Sequence, residues 1–286
     1  MNGRLQIVAY SIDRGTAVWI STPCGTNLAF DLGRSANFSP LVDIYSNGVR
    51  TLDAVFITHP HLDHFNDIDN LRYFTVGRFF RSNVIAPVRT DMGAGRYSPN
   101  EYAFLSNIYA QYNGTRLYET STYGVNQGQL TANDGVVLDV FAPQGQFSSV
   151  NDYSLVTVLS YGRFRMVLFG DNGPESIVAL YDDPRFRQSV QGAQVFLAPH
   201  HGRESGWSDL LGELLAPEIC LVSDGRTSDP VAIAAYDRLC VGKAVSIRGQ
   251  LPRQRKCVTT RTDGHIVVTV DPAHLKYGEY AIKTCG

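Results

Sequence analysis

The chain has 286 residues, of which 44% are hydrophobic and 18% are charged, and its formal net charge is −2 at pH 7. This composition is typical of a folded globular protein and excludes a disordered chain. A charge so close to zero excludes an overall field that recruits nucleic acid or an anionic membrane, so any such surface must be local. No apolar run approaches the roughly 20 residues of a membrane span. The first residues also lack the apolar core of a signal peptide.

The five cysteines are scattered and none forms a Cys-x-x-Cys pair. This spacing excludes a zinc knuckle and a disulfide framework, and it leads us to expect a cytoplasmic protein. No linker, repeat or low-complexity segment divides the sequence. We therefore predict one domain over residues 1–286, and we leave open whether it forms a homodimer.

The first sixty residues are predicted to be strands joined by turns, with strands at residues 5–10, 17–22 and 27–30. A short helix is predicted after Ser39, because Pro40 suits the first helical position. Another is predicted at residues 67–74, where the apolar residues have helical spacing. The next strand, at residues 55–58, runs directly into four potential metal ligands. These are His59, His61, Asp63 and His64. The alternative is a polar loop whose histidines cap the next helix, which the tight spacing disfavours.

Residues 72–123 are rich in tyrosine, phenylalanine and arginine and lack strong periodicity apart from a helical stretch at 100–112. We interpret this segment as an insertion over one rim of the domain, where substrate is gripped. Arginine interleaved with aromatic residues suits phosphate contact and base stacking, which makes Arg78 and Arg81 candidate substrate-binding residues. The alternative is that these side chains pack a small subdomain.

Strands resume after the insertion, at residues 135–141, 154–160, 164–169, 194–198 and 219–223, and three more at 244–247, 258–261 and 265–270 close the chain. Helices are predicted from Pro174, at 207–215 and at 230–239. Because the strands come in runs with helices between the runs, the pattern favours two sheets packed face to face with helices outside.

Three apolar strands share one design, since each delivers polar residues at its carboxyl end. The first leads to His59, the second to Asp171 and the third to His200 and His201. If the three ends converge, they supply ligands for one metal ion or two, with Asp171 bridging. The candidate ligands are His59, His61, Asp63, His64, Asp171 and His200. Imidazole and carboxylate donors suit Zn²⁺, or alternatively Mn²⁺.

The sequence Thr58-His59-Pro60-His61-Leu62-Asp63-His64 resembles the Thr-His-x-His-x-Asp-His signature of the metallo-β-lactamase superfamily. Asp31, Asp171 and the late histidines occupy the other positions of that pattern. The resemblance implies an αββα sandwich of two mixed β-sheets with helices on the outer faces. It also implies that Asp31 orients a metal-bound imidazole, with a plain turn residue as the alternative.

A narrower resemblance is to the hydrolase domain of bacterial competence (DNA-uptake) channel proteins. It rests on residues 12–17, 58–61, 151–156, 168–171, 199–202 and 262–266. Two positions depart from that group. Arg203 follows the His-His-Gly where a serine is usual, and Phe65-Asn66 follows Asp63-His64 where two glycines are common.

The most consequential departure is the absence of any histidine between His64 and His200, where the superfamily usually has one. Asn151 or Asp152 is predicted to replace that ligand, or else the first metal site is weak. Between the two late histidines the sequence does not decide. We favour His200 as the ligand, with His201 as an outer partner or as the proton donor to the leaving group.

These features lead to the hypothesis of a metal-dependent phosphodiester hydrolase acting on nucleic acid or a nucleotide. Asp63 or Asp171 orients the attacking water, His201 or a metal-bound water protonates the leaving oxygen, and Arg203 contacts the phosphate. One alternative is hydrolysis of an ester, lactone or lactam on the same fold. Another is a metal-binding module without catalysis, because the middle histidine is missing.

Overall fold

The computed structural model describes residues 3–82, 115–117, 121–124, 135–225 and 231–285. The strands in this part of the chain are β1 (Leu5–Ala9), β2 (Ala17–Ser21), β3 (Asn27–Leu32), β4 (Thr51–Leu52), β5 (Ala54–Ile57), β6 (Thr75–Val76), β7 (Phe79–Ser82), β8 (Thr115–Leu117), β9 (Ser121–Gly124), β10 (Val136–Phe141), β11 (Val156–Tyr161), β12 (Phe164–Leu168), β13 (Val195–Leu197), β14 (Ile219–Val222), β15 (Lys243–Ile247), β16 (Arg253–Arg255), β17 (Cys257–Thr259), β18 (His265–Val270) and β19 (Ala281–Cys285).

The α-helices in the same ranges are α1 (Pro40–Ser46), α2 (Pro174–Asp182), α3 (Pro184–Val190), α4 (Leu210–Leu214), α5 (Ile233–Leu239) and α6 (Thr260–Asp263). Short 3₁₀ helices span Leu62–His64, Ile68–Tyr73, Val150–Tyr153, Pro199–Gly202, Glu204–Gly206 and Pro272–His274. Proline stands in the first turn of α1, α2 and α3, where its missing N–H costs no hydrogen bond.

Two mixed sheets form the framework of the described residues. The larger has the strand order β16-β15-β19-β18-β1-β2-β3-β5-β7-β8, and the smaller has the order β17-β14-β13-β12-β11-β10-β9. Neighbouring strands β3, β5 and β7 run parallel in the first sheet. Strands β12, β13 and β14 run parallel in the second. Parallel strands end at the same edge, so the loops after them are brought together.

The main core lies between the sheets, and each sheet also buries its outer face. Phe56 of β5 stacks between Phe30 and Phe80 of the neighbouring strands, with ring centroids 4.6 and 4.8 Å away. Burying one such side chain contributes roughly 1.5–3 kcal/mol. The outer face of the first sheet packs against α1, and that of the second packs against α2 to α5. This layering confirms the predicted αββα sandwich.

The structure differs from the predicted elements in several places, including the following three. The helical spacing after residue 67 gives a 3₁₀ helix, Ile68–Tyr73. The strand predicted at 258–261 ends at Thr259, where the Thr259 side chain caps α6. The last strand is β19 rather than β18, and it pairs with both β18 and β15.

Most of the predicted insertion, including the helical stretch at 100–112, lies outside the described residues. Of that segment, β6 and β7 and the short strands β8 and β9 are described, and β8 and β9 are the outermost strands of the two large sheets. Among the described residues, no helix combines the length and the apolar character that a bilayer crossing requires.

Candidate metal centre

Two groups of histidine and aspartate side chains meet where the loops after β5, β12 and β13 converge. His59, His61 and Asp171 form the first group, and within it the ligand atoms all lie within 4.8 Å of one another. Asp63, His64 and His201 form the second group under the same limit. The sequence placed these residues at three separate strand ends, and the fold brings them together.

Asp171 lies between the two groups. Its Oδ1 is 3.2 Å from Nε2 of His64, and its Oδ2 is 3.2 Å from Nε2 of His201. The same Oδ2 is 3.8 Å from Nε2 of His59 and 3.9 Å from Nε2 of His200. One carboxylate therefore faces four imidazoles, which is the arrangement expected of a group that bridges two cations.

His64 is oriented by the buried carboxylate of Asp31. Nδ1 of His64 lies 2.7 Å from Oδ2 of Asp31, and Asp31 also accepts hydrogen bonds from the backbone N–H and the hydroxyl of Thr58. A carboxylate at Nδ1 keeps a proton on that nitrogen and directs Nε2 into the site, where it can bind a cation once its own proton is released. Asp31 has a positive φ of 54°, and this turns its side chain back toward β5.

His59 is oriented by two hydroxyls. Nδ1 of His59 lies 3.1 Å from Oγ1 of Thr58 and 3.1 Å from Oγ of Ser154. Because Thr58 donates its single proton to Asp31, it accepts at His59, which places the imidazole proton on Nδ1. Nε2 of His59 is then the acceptor, and it is buried with no hydrogen-bond partner among the described residues.

The late histidines lie in a turn that separates their side chains. His200 has φ 48°, and His201 has φ 56°; two consecutive residues in this region are rare. Nδ1 of His201 lies 3.0 Å from the carbonyl oxygen of Ser223, which leaves Nε2 facing Asp63 and Asp171. Nδ1 of His200 lies 2.9 Å from Oγ of Ser205.

In the segment 151–154, where a middle histidine was expected, each residue makes different contacts. Oδ1 of Asp152 accepts hydrogen bonds from the backbone N–H of Gly173 at 2.8 Å and from the Ser176 hydroxyl at 2.7 Å, so it fixes the start of α2. Nδ2 of Asn151 lies 3.2 Å from Nε2 of His200. Ser154, which the sequence analysis did not single out, contacts His59 and accepts the backbone N–H of Asp171.

Burial and the pairing of charges shift the pKa values in opposite directions. Burial alone would raise the pKa of Asp171, but His201 and His64 hold it well below its usual value. Burial lowers the pKa of His59 and, with help from His64, keeps the imidazole neutral. For His64, Asp171 and Asp31 overcome burial and raise the pKa well above its usual value. Burial raises the pKa of Asp31 despite its contacts with His64 and Thr58.

A cavity of about 460 Å³ opens over the two groups. Its lining includes Asp63, Asp171, His200 and two arginines, Arg14 and Arg203. Nη1 of Arg203 lies 3.4 Å from Nε2 of His200, and Nε of Arg14 lies 3.7 Å from Oδ2 of Asp63. Arg203 was expected from the sequence as a substrate-binding residue. Arg14 was not, although it lies in the segment 12–17 on which the resemblance rests.

Neither of the other two predicted substrate-binding arginines lines this cavity. The carbonyl of Arg78 accepts the N–H of Val55, at the end of β5 opposite the histidines. Arg81 is in register with Ile57, and its side chain is buried on the face of β7 opposite Phe80. Arg78 therefore lies at the opposite end of β5 from the metal ligands, whereas Arg81 lies at their end of the strand with its side chain on the outer face of the sheet.

The donor set fits a divalent cation. Uncharged imidazole nitrogens and carboxylate oxygens are the ligands that Zn²⁺ and related ions take in proteins. A buried Nε2 without a hydrogen bond is costly in a folded protein, and a cation accounts for it at His59. Each group supplies three such ligand atoms, which leaves further coordination positions for water or substrate.

Comparison with known proteins supports the fold. A scan against models of protein families and a search of curated proteins each find no match. Among solved structures, a metallo hydrolase from the hyperthermophilic archaeon Ignicoccus hospitalis is similar with a TM-score of 0.50 and 14% identity. That similarity covers 92% of this chain and 98% of that one.

Two further solved structures are similar at lower scores. A candidate Zn-dependent hydrolase of the metallo-β-lactamase superfamily from Thermotoga maritima has a TM-score of 0.45 and 12% identity, over 89% of this chain and 97% of that one. A diphosphatase of the PhnP family has a TM-score of 0.49 and 12% identity, over 94% and 98%. At these identities the likeness concerns the fold, and the chain has the metallo-β-lactamase fold.

Proposed function

We propose that the protein is a metal-dependent phosphodiester hydrolase with a centre for two divalent cations. The observation that carries this proposal is the position of Asp171, whose two oxygens face imidazoles of both ligand groups. Zn²⁺ is the cation that the donor set favours, and Mn²⁺ is the alternative. The resemblance to the competence hydrolase domain supports the same chemistry.

His59, His61 and Asp171 are proposed to hold one cation, and Asp63, His64, His201 and Asp171 the other. The second assignment reverses our preference for His200 over His201, because Nε2 of His201 lies 3.2 Å from Asp171 and its Nδ1 is held by Ser223. His200 then completes the first group, in the place of the absent middle histidine. Asp152 is not proposed as a ligand, since its Oδ1 is engaged by Gly173 and Ser176.

When bound, divalent cations at such a centre lower the pKa of water toward about 7 and neutralise charge on a phosphoryl group. The residues of this chain supply the remaining functions. Asp63, which is partly exposed at the cavity, orients the attacking water and accepts its proton. Asp171 and His201 fix the position of that water. His201 is proposed to act as a ligand rather than as the acid, so the proton that Asp63 accepts is returned to the leaving oxygen.

The arginines favour a phosphoryl substrate over a carboxylic one. Guanidinium groups pair with phosphate oxygens through parallel hydrogen bonds and stay charged at all working pH values. Arg203 lines the cavity beside His200, and Arg14 lines it beside Asp63. The two guanidinium groups therefore flank the reacting position. An ester or lactam gains less from two such groups, because it carries no charge in the ground state.

The test compares substrates on one metal-loaded preparation. The chain, supplied with Zn²⁺ or Mn²⁺, should hydrolyse bis(p-nitrophenyl) phosphate and a nucleic acid or cyclic nucleotide. Hydrolysis of p-nitrophenyl esters or of a lactam without phosphodiester turnover would contradict the proposal. A double variant, H59A/D171A, should lose both the bound metal and the activity, and an exposed-site control, H274A, should keep both.

A further inference from the structure

Three cavities form one groove that begins at the metal centre. The cavity over the ligand groups shares Arg14, Leu62 and Asp63 with a second cavity of about 370 Å³. The second cavity shares Arg34, Ser35 and Ala36 with a third of about 580 Å³. An arginine therefore stands at each of the two junctions, and the three cavities together offer more space than a single phosphate fills.

The loop that bears Arg14 is fastened to the metal-binding segment. The N–H of Thr16 donates to the carbonyl of Asp63 at 3.2 Å. Gly15 makes this approach possible, because a Cβ at that position would lie 2.1 Å from the same oxygen. Arg14 is thereby held beside Asp63 while its guanidinium remains largely exposed to solvent.

Arg34 is fastened by Asn66, one of the two residues that depart from the glycines common in the competence group. Oδ1 of Asn66 accepts the N–H of Arg34 at 2.6 Å, and Nδ2 of Asn66 donates to the carbonyl of Arg34 at 3.3 Å. A glycine at position 66 has no side chain with which to make either bond. Asn66 thus fixes the backbone of Arg34 at the junction between the second and third cavities.

The charge of the second cavity depends on the metal centre. Arg14 and Arg34 line it together with two carboxylates, Asp13 and Asp63. Under the proposed function a cation at Asp63 neutralises that carboxylate, and the balance becomes positive. An anion one step along the groove from the reacting phosphate is then stabilised by two guanidinium groups.

The third cavity has a different character. Its lining includes Phe38, whose ring also contacts Tyr10 and His265, with centroids 5.8 and 4.9 Å away. It also includes Asp43, whose carboxylate accepts hydrogen bonds from Tyr10 and Asn47. A carboxylate disfavours phosphate but accepts the amino group of a base, and an aromatic ring offers a stacking surface. Phosphate, phosphate and base positions in succession match a nucleotide chain better than inorganic polyphosphate.

We propose that this groove binds a single-stranded oligonucleotide, with Arg14 and Arg34 holding a phosphate that flanks the scissile one and Phe38 facing the adjacent base. The inference rests on the proposed function for the reacting phosphate and names the substrate class. Asn66 acts as a positioning residue for Arg34.

The experiment measures binding separately from catalysis. A 5′-fluorescein-labelled hexamer of deoxyadenylate with phosphorothioate linkages, whose bases carry the amino group that Asp43 would accept, is titrated with the metal-loaded chain, and fluorescence anisotropy is followed from 50 to 300 mM NaCl. R34A and R14A should each weaken binding by about 10-fold and reduce the slope of log K against log salt by about 0.7, the value for one phosphate contact on a single strand. R34K should recover part of the loss, and R185A, a solvent-exposed arginine that lines none of the three cavities, should match the wild type.

Equal affinity and equal salt slope for wild type and R34A would overturn the proposal. Equal binding of an abasic hexamer would overturn the assignment of a base to the third cavity. Failure of the proposed function is distinguishable, because a wild-type protein that turns over no phosphodiester can still show Arg34-dependent binding. N66G should weaken binding less than R34A, and it should cause no further loss of affinity when R34A is already present. Additive losses of affinity in the double variant would overturn the positioning role of Asn66.

Discussion

The imidazole rings of His200 and His201 are inclined by 59°, with their centroids 6.1 Å apart. The side chains of these adjacent residues point in different directions because both residues have left-handed backbone angles. Each Nδ1 also has its own hydrogen-bond partner. The pair therefore reaches Asp171 from two directions. Under the proposed function, one histidine serves each cation.

This division predicts different metal contents for the two alanine variants. H201A should lose cation affinity by more than about 100-fold, beyond the range seen when only an outer hydrogen-bond partner is removed. H200A should lose about one of the two equivalents of bound metal, since the group formed by Asp63, His64 and His201 is intact. Metal analysis after equilibrium dialysis measures both. The exposed histidine variant H274A is the control, and equal losses for H200A and H201A would contradict the assignment.

Replacing Asp31 by asparagine should separate metal binding from stability. D31N removes the charge that holds the proton on Nδ1 of His64, so cation affinity should fall about 10–100-fold. The ionised carboxylate is costly when buried, as the raised pKa of Asp31 indicates, and asparagine also tolerates positive φ. The cation-free protein should therefore lose no more than about 1 kcal/mol of unfolding free energy.

Isothermal titration with Zn²⁺ and urea denaturation measure the two quantities for D31N. D271N is the matched control, because Asp271 is at the surface and pairs with Arg4. Unchanged Zn²⁺ affinity in D31N would show that Asp31 does not orient the His64 imidazole.

Removing the Ser154 hydroxyl should affect both structure and metal affinity. S154A leaves the buried backbone N–H of Asp171 without its acceptor, which costs about 1–3 kcal/mol of stability. His59 also loses one of two contacts at Nδ1, so cation affinity should fall about 10-fold. S189A, which removes a hydrogen bond to Asp139 elsewhere, should lower stability without altering affinity. An S154A protein with wild-type affinity would rule out this supporting role.

His265 predicts a pH-dependent contribution to stability away from the metal ligands. Burial lowers the pKa of His265, and its Nδ1 accepts the backbone N–H of Ser11 at 2.9 Å, so the folded state favours the neutral ring. Below pH about 6.5 the unfolded state binds a proton that the folded state resists. The contribution is therefore complete above that pH and is lost as the pH falls through the folded-state pKa.

Urea denaturation of wild type and H265N from pH 8 to pH 5 isolates this effect, because other titrating groups are common to both. The difference in unfolding free energy should change by roughly 1 kcal/mol, the value of one hydrogen bond. A difference that stays constant with pH would refute the prediction.

Much of the fold was predictable from local pattern. Strands β5 and β13 are continuous apolar segments, and β12 is interrupted only by Arg165. The polar residues that follow these strands mark the carboxyl ends of parallel strands. Because side chains four or five residues apart in one loop stay close in any fold, His59, His61, Asp63 and His64 were identifiable without coordinates. The final strand β19 was missed, since its alternating burial lies in a short polar sequence.

The sequence by itself determined the sandwich architecture and the residues that meet at the metal centre, because both follow from periodicity and from strand-end position. Only the tertiary structure decided how those residues divide. The left-handed turn at His200 and His201, the engagement of Asp152 by α2, and the alignment of Arg14 and Arg34 along one groove depend on contacts between segments far apart in the chain. Such contacts are set by packing and hydrogen bonding in the folded state, which no local pattern encodes.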